Sequence, residues 1–125
     1  MLLNKLKDFL MHRLKSYKHA RNGMRIMIFT QINARIELIA ALLVIVLGLI
    51  VSLSLIEWAV IAIAIGTVLI SEIFNTAMEF LLDRISPQYS QLVKNIKDIA
   101  AAGVLLSVIL AIVLGLLVFL PHFVA

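Results

Sequence analysis

The sequence predicts an all-α integral membrane protein: an N-terminal amphipathic surface helix followed by three transmembrane helices. Three observations carry that expectation. Apolar residues make up 63% of the 125 positions and charged residues only 14%, against about half and about a quarter in an average soluble domain. Three stretches are long and apolar enough to cross a hydrocarbon core of about 30 Å at 1.5 Å per residue. The basic residues are unevenly placed. Of the eleven Lys and Arg, eight (Lys5, Lys7, Arg13, Lys15, Lys18, Arg21, Arg25 and Arg35) lie in the first 35 positions, opposed there only by Asp8. Beside apolar spans, such a cluster reads as an anchor on anionic lipid at the cytoplasmic face, not as a nucleic-acid surface. With no cysteine in the chain, disulfides, thiolate metal sites and a cysteine nucleophile are excluded.

The length suits one membrane-embedded domain over residues 1–125. Residues 1–28 read as the amphipathic helix. Leu3, Leu6, Leu10, Leu14 and Tyr17 recur at spacings of three and four, with Phe9 alongside and basic residues opposite. Such a helix lies in the membrane interface or packs on the flank of the bundle; both readings stay open. It is not a signal peptide, because charges interrupt its apolar residues. The first span is expected over residues 35–56, which include an uncharged run of 19 residues from Leu38 to Ile56. Trp58 suits an interfacial belt and opens the second span, residues 58–83. The third span is expected over residues 98–120, ended by Pro121. The positive-inside rule then puts the N-terminus and the loop with Arg84, Lys94 and Lys97 in the cytoplasm, and the C-terminus outside.

The second span contains "SEIFNTAMEFLLDR". At 100° per residue, Glu72, Thr76, Glu79 and Asp83 share one helix face, with Asn75 beside them. Phe74, Ala77 and Leu81 take the opposite face. An acidic residue at the centre of a span costs about 2.5–3.5 kcal/mol even on lenient scales. The stripe is either glue between helices or a functional site in the cytoplasmic half of the bilayer; three such groups on one face favour the site. Lys94, Lys97, Arg35 and a divalent cation are the candidate counter-charges. Lys97 and Asp98, just before the third span, suit a metal–nucleotide. A snorkelling lysine beside a helix N-terminal acid is the plainer reading of that pair alone. No P-loop, soluble-kinase signature or GxSxG motif occurs. His12, His19 and His122 have no zinc-ligand spacing.

"EIFNTAMEFLLDR" followed by "NIKDIAAAGVLL" resembles the paired motifs of the prokaryotic diacylglycerol kinase family, which includes the undecaprenol kinases. Upstream, "NGMRIMIFTQINARIEL" is similar to that family's third segment. The resemblance covers nearly the whole chain. It implies a homotrimeric bundle in the inner or plasma membrane of a prokaryote. The activity it implies is ATP- and Mg2+-dependent phosphorylation of a membrane lipid alcohol, either diacylglycerol or undecaprenol. By the same resemblance Glu72 is the general base and Asn75 is catalytic. Glu79 holds the metal and contacts ATP. Lys97, Asp98, Gln88, Tyr89, Ser90 and His19 contact the nucleotide. Glu72, Arg35 and Ala101 contact the lipid, and Asp83, Lys94 and Arg13 support the site. Two departures stand out. The family's second metal-binding Glu is Gln31 here, and an amide oxygen is a weaker magnesium ligand. An early family arginine falls at His12, with Arg13 one residue away. Gln31 keeps an alternative in view, a non-catalytic membrane conduit for protons or ions, or a small assembly protein.

Overall fold

The computed structural model describes residues 1–124. They form four helices: α1 (Leu2–Thr30), α2 (Ile32–Ile50), α3 (Leu55–Ile85) and α4 (Gln91–Val124). The all-helical class is as expected. So is the number of membrane-crossing candidates, since α2, α3 and α4 are each long and apolar enough to span. The chain divides into two compact units, Met1–Ile32 and Asn33–Ala125.

The first unit is essentially α1. Its 29 residues run two positions beyond the expected end at 28. Arg13 lies over the Phe9 ring and Arg25 over Phe29, at 5.0 and 5.7 Å from the ring centres. Both pairs are i and i+4, the spacing at which helix side chains meet. The helix stops at Gln31, whose backbone is extended (φ −107°, ψ 119°) and whose N–H donates to the Met27 carbonyl.

In the second unit the expectation that the first span reaches residue 56 is corrected: α2 ends at Ile50. The next four residues close both helices locally. Ser52 takes a left-handed conformation (φ 58°). Its N–H donates to Leu49 O at 3.4 Å, and the Leu53 N–H donates to Gly48 O at 3.1 Å. These are the two bonds of a Schellman stop, with serine where glycine is usual. Ser54 then caps α3 in a reciprocal box: its hydroxyl accepts from the Glu57 N–H, and the Glu57 carboxylate accepts from the Ser54 N–H. With its first turn satisfied, α3 starts at Leu55, three residues before the expected Trp58. The turn folds down so tightly that a β-carbon on Gly48 would lie 2.8 Å from Trp58 and 2.9 Å from Leu53.

Helices α3 and α4 form an antiparallel hairpin around Leu53, Ile61 and Val118, with Val44, Trp58 and Phe119 packed on that cluster. α4 also outruns its expected 98–120 bounds. Its N-terminus is set at Gln91 by Ser90, whose carbonyl accepts from the Lys94 N–H and whose hydroxyl lies 3.5 Å from the Val93 N–H. At the other end Pro121 lies inside the helix instead of ending it. A proline near the terminus forfeits a single backbone bond. Beyond it, His122 is held 2.9 Å from Glu57 of α3, which keeps the last turn in place. Many large apolar side chains, such as Leu49, Phe74, Leu106 and Leu117, remain exposed. Such a surface suits lipid or further helices rather than water.

Candidate functional site

The polar stripe of α3 faces inward over its first part, whereas Glu79 is half-buried and Asp83 exposed. Glu72, Asn75 and Thr76 are only 1%, 7% and 5% exposed. Phe74, Ala77 and Leu81 are exposed on the opposite side, as the helical spacing requires. The stripe is incompletely bonded. The Asn75 amide nitrogen donates to Glu79 at 3.3 Å. Both Glu72 oxygens, the Asn75 amide oxygen and the Thr76 hydroxyl are buried without a partner among the described residues. Thr67, nine residues earlier, shows the ordinary outcome: its hydroxyl donates to the Ile63 carbonyl at 2.8 Å. Buried polar atoms are nearly always partnered in native proteins, and each exception calls for a role.

One participant went unremarked in the sequence. Glu37 of α2 has a buried, unpartnered oxygen. Its carboxylate lies within electrostatic reach of Glu72, and Glu72 within reach of Glu79. Glu72 thus has an acidic neighbour on each of two helices, Glu37 on α2 and Glu79 on its own. The signals for Glu37 were its place in the family-like stretch ending "RIEL" and just before the uncharged run; its proximity to Glu72 is a product of packing.

Glu37 also lines an apolar groove of about 380 Å³ between α2, α3 and α4, together with residues such as Ala41, Val44, Val68 and Gly115. On α3 the groove is lined by Ile61, Ala64 and Val68. Glu72 follows these at i+11, i+8 and i+4, so it continues the same face beyond the groove. Gly115 has nothing within 4 Å of the position a β-carbon would take.

The cationic groups sit at the loop end of the hairpin. Lys97 of α4 forms an ion pair with Asp83 of α3, and Lys94 pairs with Asp98 one turn along α4. Lys97 and Asp98 are thus each engaged with a different partner. Arg35 is exposed on α2 and Ala101 on α4. Gln88 and Tyr89 are exposed in the α3–α4 loop, where the Tyr89 hydroxyl donates to Gln91 at 3.1 Å. Ser90 caps α4 as described. Arg13, His19 and Gln31 belong to the first unit, the first two as exposed α1 residues and Gln31 as the residue that ends it.

Among the described residues, no three acidic or histidine side chains converge as a closed metal cage. Magnesium does not need one: one or two carboxylates suffice when waters and phosphate oxygens complete the shell. Glu79, Glu72 and the Asn75 carbonyl are hard oxygen donors of that kind, and the unpartnered ones are free to coordinate. The donor set fits magnesium.

Residues 18–119 match the family described as prokaryotic diacylglycerol kinase. An undecaprenol kinase of Bacillus subtilis is 37% identical over 107 residues, covering 86% of this chain and 87% of that protein. A diacylglycerol kinase of Synechocystis sp. is 36% identical over 109 residues, which cover 86% of this chain but 62% of that protein. A diacylglycerol kinase of Escherichia coli is 28% identical over 110 residues, 88% of this chain and 90% of the relative. The motifs around Glu72 and Lys97 had pointed to the same family, and the chain belongs to it: it is a member of the prokaryotic diacylglycerol kinases, a family of membrane lipid kinases.

Proposed function

We propose that the protein transfers the γ-phosphate of ATP, with Mg2+, to the hydroxyl of a membrane lipid alcohol at the cytoplasmic face, with undecaprenol preferred to diacylglycerol. The observation that carries this reading is Glu72: a buried carboxylate with two unpartnered oxygens, aligned with an apolar groove. The hydrocarbon chain of the acceptor lies in the groove. Its hydroxyl meets Glu72, which accepts the proton while the oxygen attacks the γ-phosphorus and ADP leaves. What supports the lipid preference is that the undecaprenol kinase relative is 37% identical across 87% of its length, whereas the diacylglycerol kinases are 36% identical across 62% or 28% identical across 90%.

Phosphoryl transfer depends mainly on position and charge neutralisation. Bound magnesium supplies part of that neutralisation. Glu79 holds it, oriented by the Asn75 amide, and the Gln31 amide oxygen is a second donor. Lys97 and Asp98, with Gln88 to Ser90 and His19, bind ATP. Asp83 holds Lys97 ready, and Lys94 and Arg13 support the nucleotide end. Arg35 and Ala101 contact the lipid. The amphipathic α1 rests in the interface, the N-terminus is cytoplasmic and the C-terminus outside, and three copies form the working bundle.

The test is a lipid panel with ATP and Mg2+ in bicelles. Undecaprenol should be phosphorylated fastest, and Glu72→Gln should abolish turnover while ATP binding persists. Full turnover by Glu72→Gln would remove the base assignment. Ion flux in liposomes without any phosphorylation would restore the conduit reading. Gln31→Glu should lower the magnesium concentration needed for half-maximal rate; an unchanged requirement would take residue 31 out of the metal shell.

A further inference from the structure

The apolar groove between α2, α3 and α4 is uneven along its length. Near the stripe it meets Glu37, its one polar lining side chain among the described residues. Toward the α2–α3 turn it is walled by the larger Leu47, Ile61 and Phe119. There Ile61 belongs to the packed cluster with Leu53 and Val118, on which Phe119 and Trp58 rest. Between these ends lie small residues, Ala41, Ala64, Ala111 and Gly115. Ala41 and Ala64 are buried, so their methyls already have neighbours. Gly115 is half-buried, and nothing lies within 4 Å of the place a β-carbon would take. Along the α4 axis it stands about 10 Å from the level of Val108 and about 6 Å from that of Phe119. The groove is therefore open at its middle, on the α4 side, at a single glycine.

We propose that Gly115 sets the choice of lipid acceptor: the space beside it is a recess for the branch methyls of a polyprenyl chain, and a larger residue there would reserve the groove for unbranched chains. This rests on the reading of the groove as the place of the acceptor's hydrocarbon chain. A polyprenyl chain carries a methyl on every isoprene unit and is stiffened by its double bonds, so it is thicker than an acyl chain. Lipid tails are as apolar as the groove wall, so a chain that moves from bilayer to groove takes no apolar surface out of water. The choice between two chains then falls to van der Waals fit, which fades over a fraction of an ångström. A branched chain fills the recess and keeps those contacts. An unbranched chain leaves the recess empty and forfeits them. Gly115 meets the chain and not the reacting atoms, so its part is specificity and not catalysis.

The experiment compares kcat/KM for undecaprenol and for a diacylglycerol, with the full chain in bicelles, ATP and Mg2+. Gly115→Leu should lower the undecaprenol-to-diacylglycerol ratio by about 10- to 200-fold, the range over which an apolar pocket discriminates by a methylene. The change should fall on the KM for undecaprenol and leave the KM for ATP unmoved. Gly115→Ala should shift the ratio less, in the same direction, and carries the test if leucine disturbs folding. Gly66→Leu is the control. Gly66 of α3 has equally open space around it but does not line the groove, and its ratio should match the wild type. A second readout needs no turnover. Trp58 is the only tryptophan and packs at the walled end of the groove. A polyprenol brominated along its chain should quench Trp58 fluorescence saturably in the wild type and in Gly66→Leu, but not in Gly115→Leu. Either an unchanged ratio or equal quenching in wild type and Gly115→Leu would overturn the proposal. A wild type that phosphorylates neither lipid would sink the kinase reading alone, and the quenching comparison would still decide the recess.

Discussion

Two levels of the α3–α4 hairpin carry carboxylates, but they treat them differently. At the open end, beside the α2–α3 turn, Glu57 is saturated: one oxygen caps its own helix and the other holds His122. At the stripe, Glu72 is more deeply buried and its oxygens have no partner among the described residues. The first arrangement is structural, since each polar atom serves the fold. The second leaves polar atoms buried at a cost the fold does not recover by itself. That contrast is the physical ground for placing the chemistry at Glu72 and not at Glu57.

The sharpest way to break the contrast is to neutralise each carboxylate in turn. Glu72→Gln should lower lipid phosphorylation by at least about 100-fold, the lower end of what a positioned base contributes. It should leave the thermal midpoint unchanged or raised, because it removes a charge that Glu37 and Glu79 face. Glu57→Gln should show the opposite pattern, with near-normal turnover and a lowered thermal midpoint, because it weakens the contact with His122. If Glu72→Gln unfolds the protein, the stripe is structural and the contrast fails.

A second test presses on the packing behind the saturated end. Gly48→Ala would drive a methyl to within 2.8 Å of the Trp58 ring. Overpacking of this kind costs about 1–3 kcal/mol. Thermal or denaturant unfolding in bicelles should show the loss. Gly115→Ala, at a position open in the chain, should lose far less. Equal losses would mean that the turn is looser than its geometry indicates.

Much of this was legible in the sequence. The three spans follow from apolar run lengths. The stripe follows from the spacing of Glu72, Asn75 and Glu79, because helical period alone puts them on one face. What escaped depended on local chemistry or on packing. The run from Leu38 to Ile56 contains no charge, so composition did not show that α2 stops at Ile50. The stop lies in the Ser52 turn and in the "SLIE" capping box, a signal present in the sequence. Pro121 read as a terminator because a rule about helix interiors was applied within one turn of an end. The approach of Glu37 to Glu72 could not be read from spacing, since it joins two helices; Lys97 was among the counter-charges expected for the stripe, and its ion pair with Asp83 agrees. The Lys97 and Asp98 neighbours, adjacent in sequence, turn toward different partners.

The smallest expected effect falls on Thr76, the uncharged member of the stripe. Its hydroxyl is buried and unpartnered, and valine has nearly the same shape. If the hydroxyl serves only the fold, Thr76→Val removes an unsatisfied group and should be neutral or stabilising by up to about 1 kcal/mol, with turnover intact. If the hydroxyl belongs to the reaction, the same variant should keep or gain stability and lose activity. Thr67→Val provides the matched control: that hydroxyl is already bonded to the Ile63 carbonyl, and its loss should leave turnover unchanged. Measuring stability and phosphorylation on the two variants therefore places the edge of the reactive stripe, one turn of helix from Glu72. A drop in both quantities for Thr76→Val alone would show that the hydroxyl is partnered in the assembled protein, and that it does not belong with Glu72, Asn75 and Glu37, which the fold leaves unsatisfied.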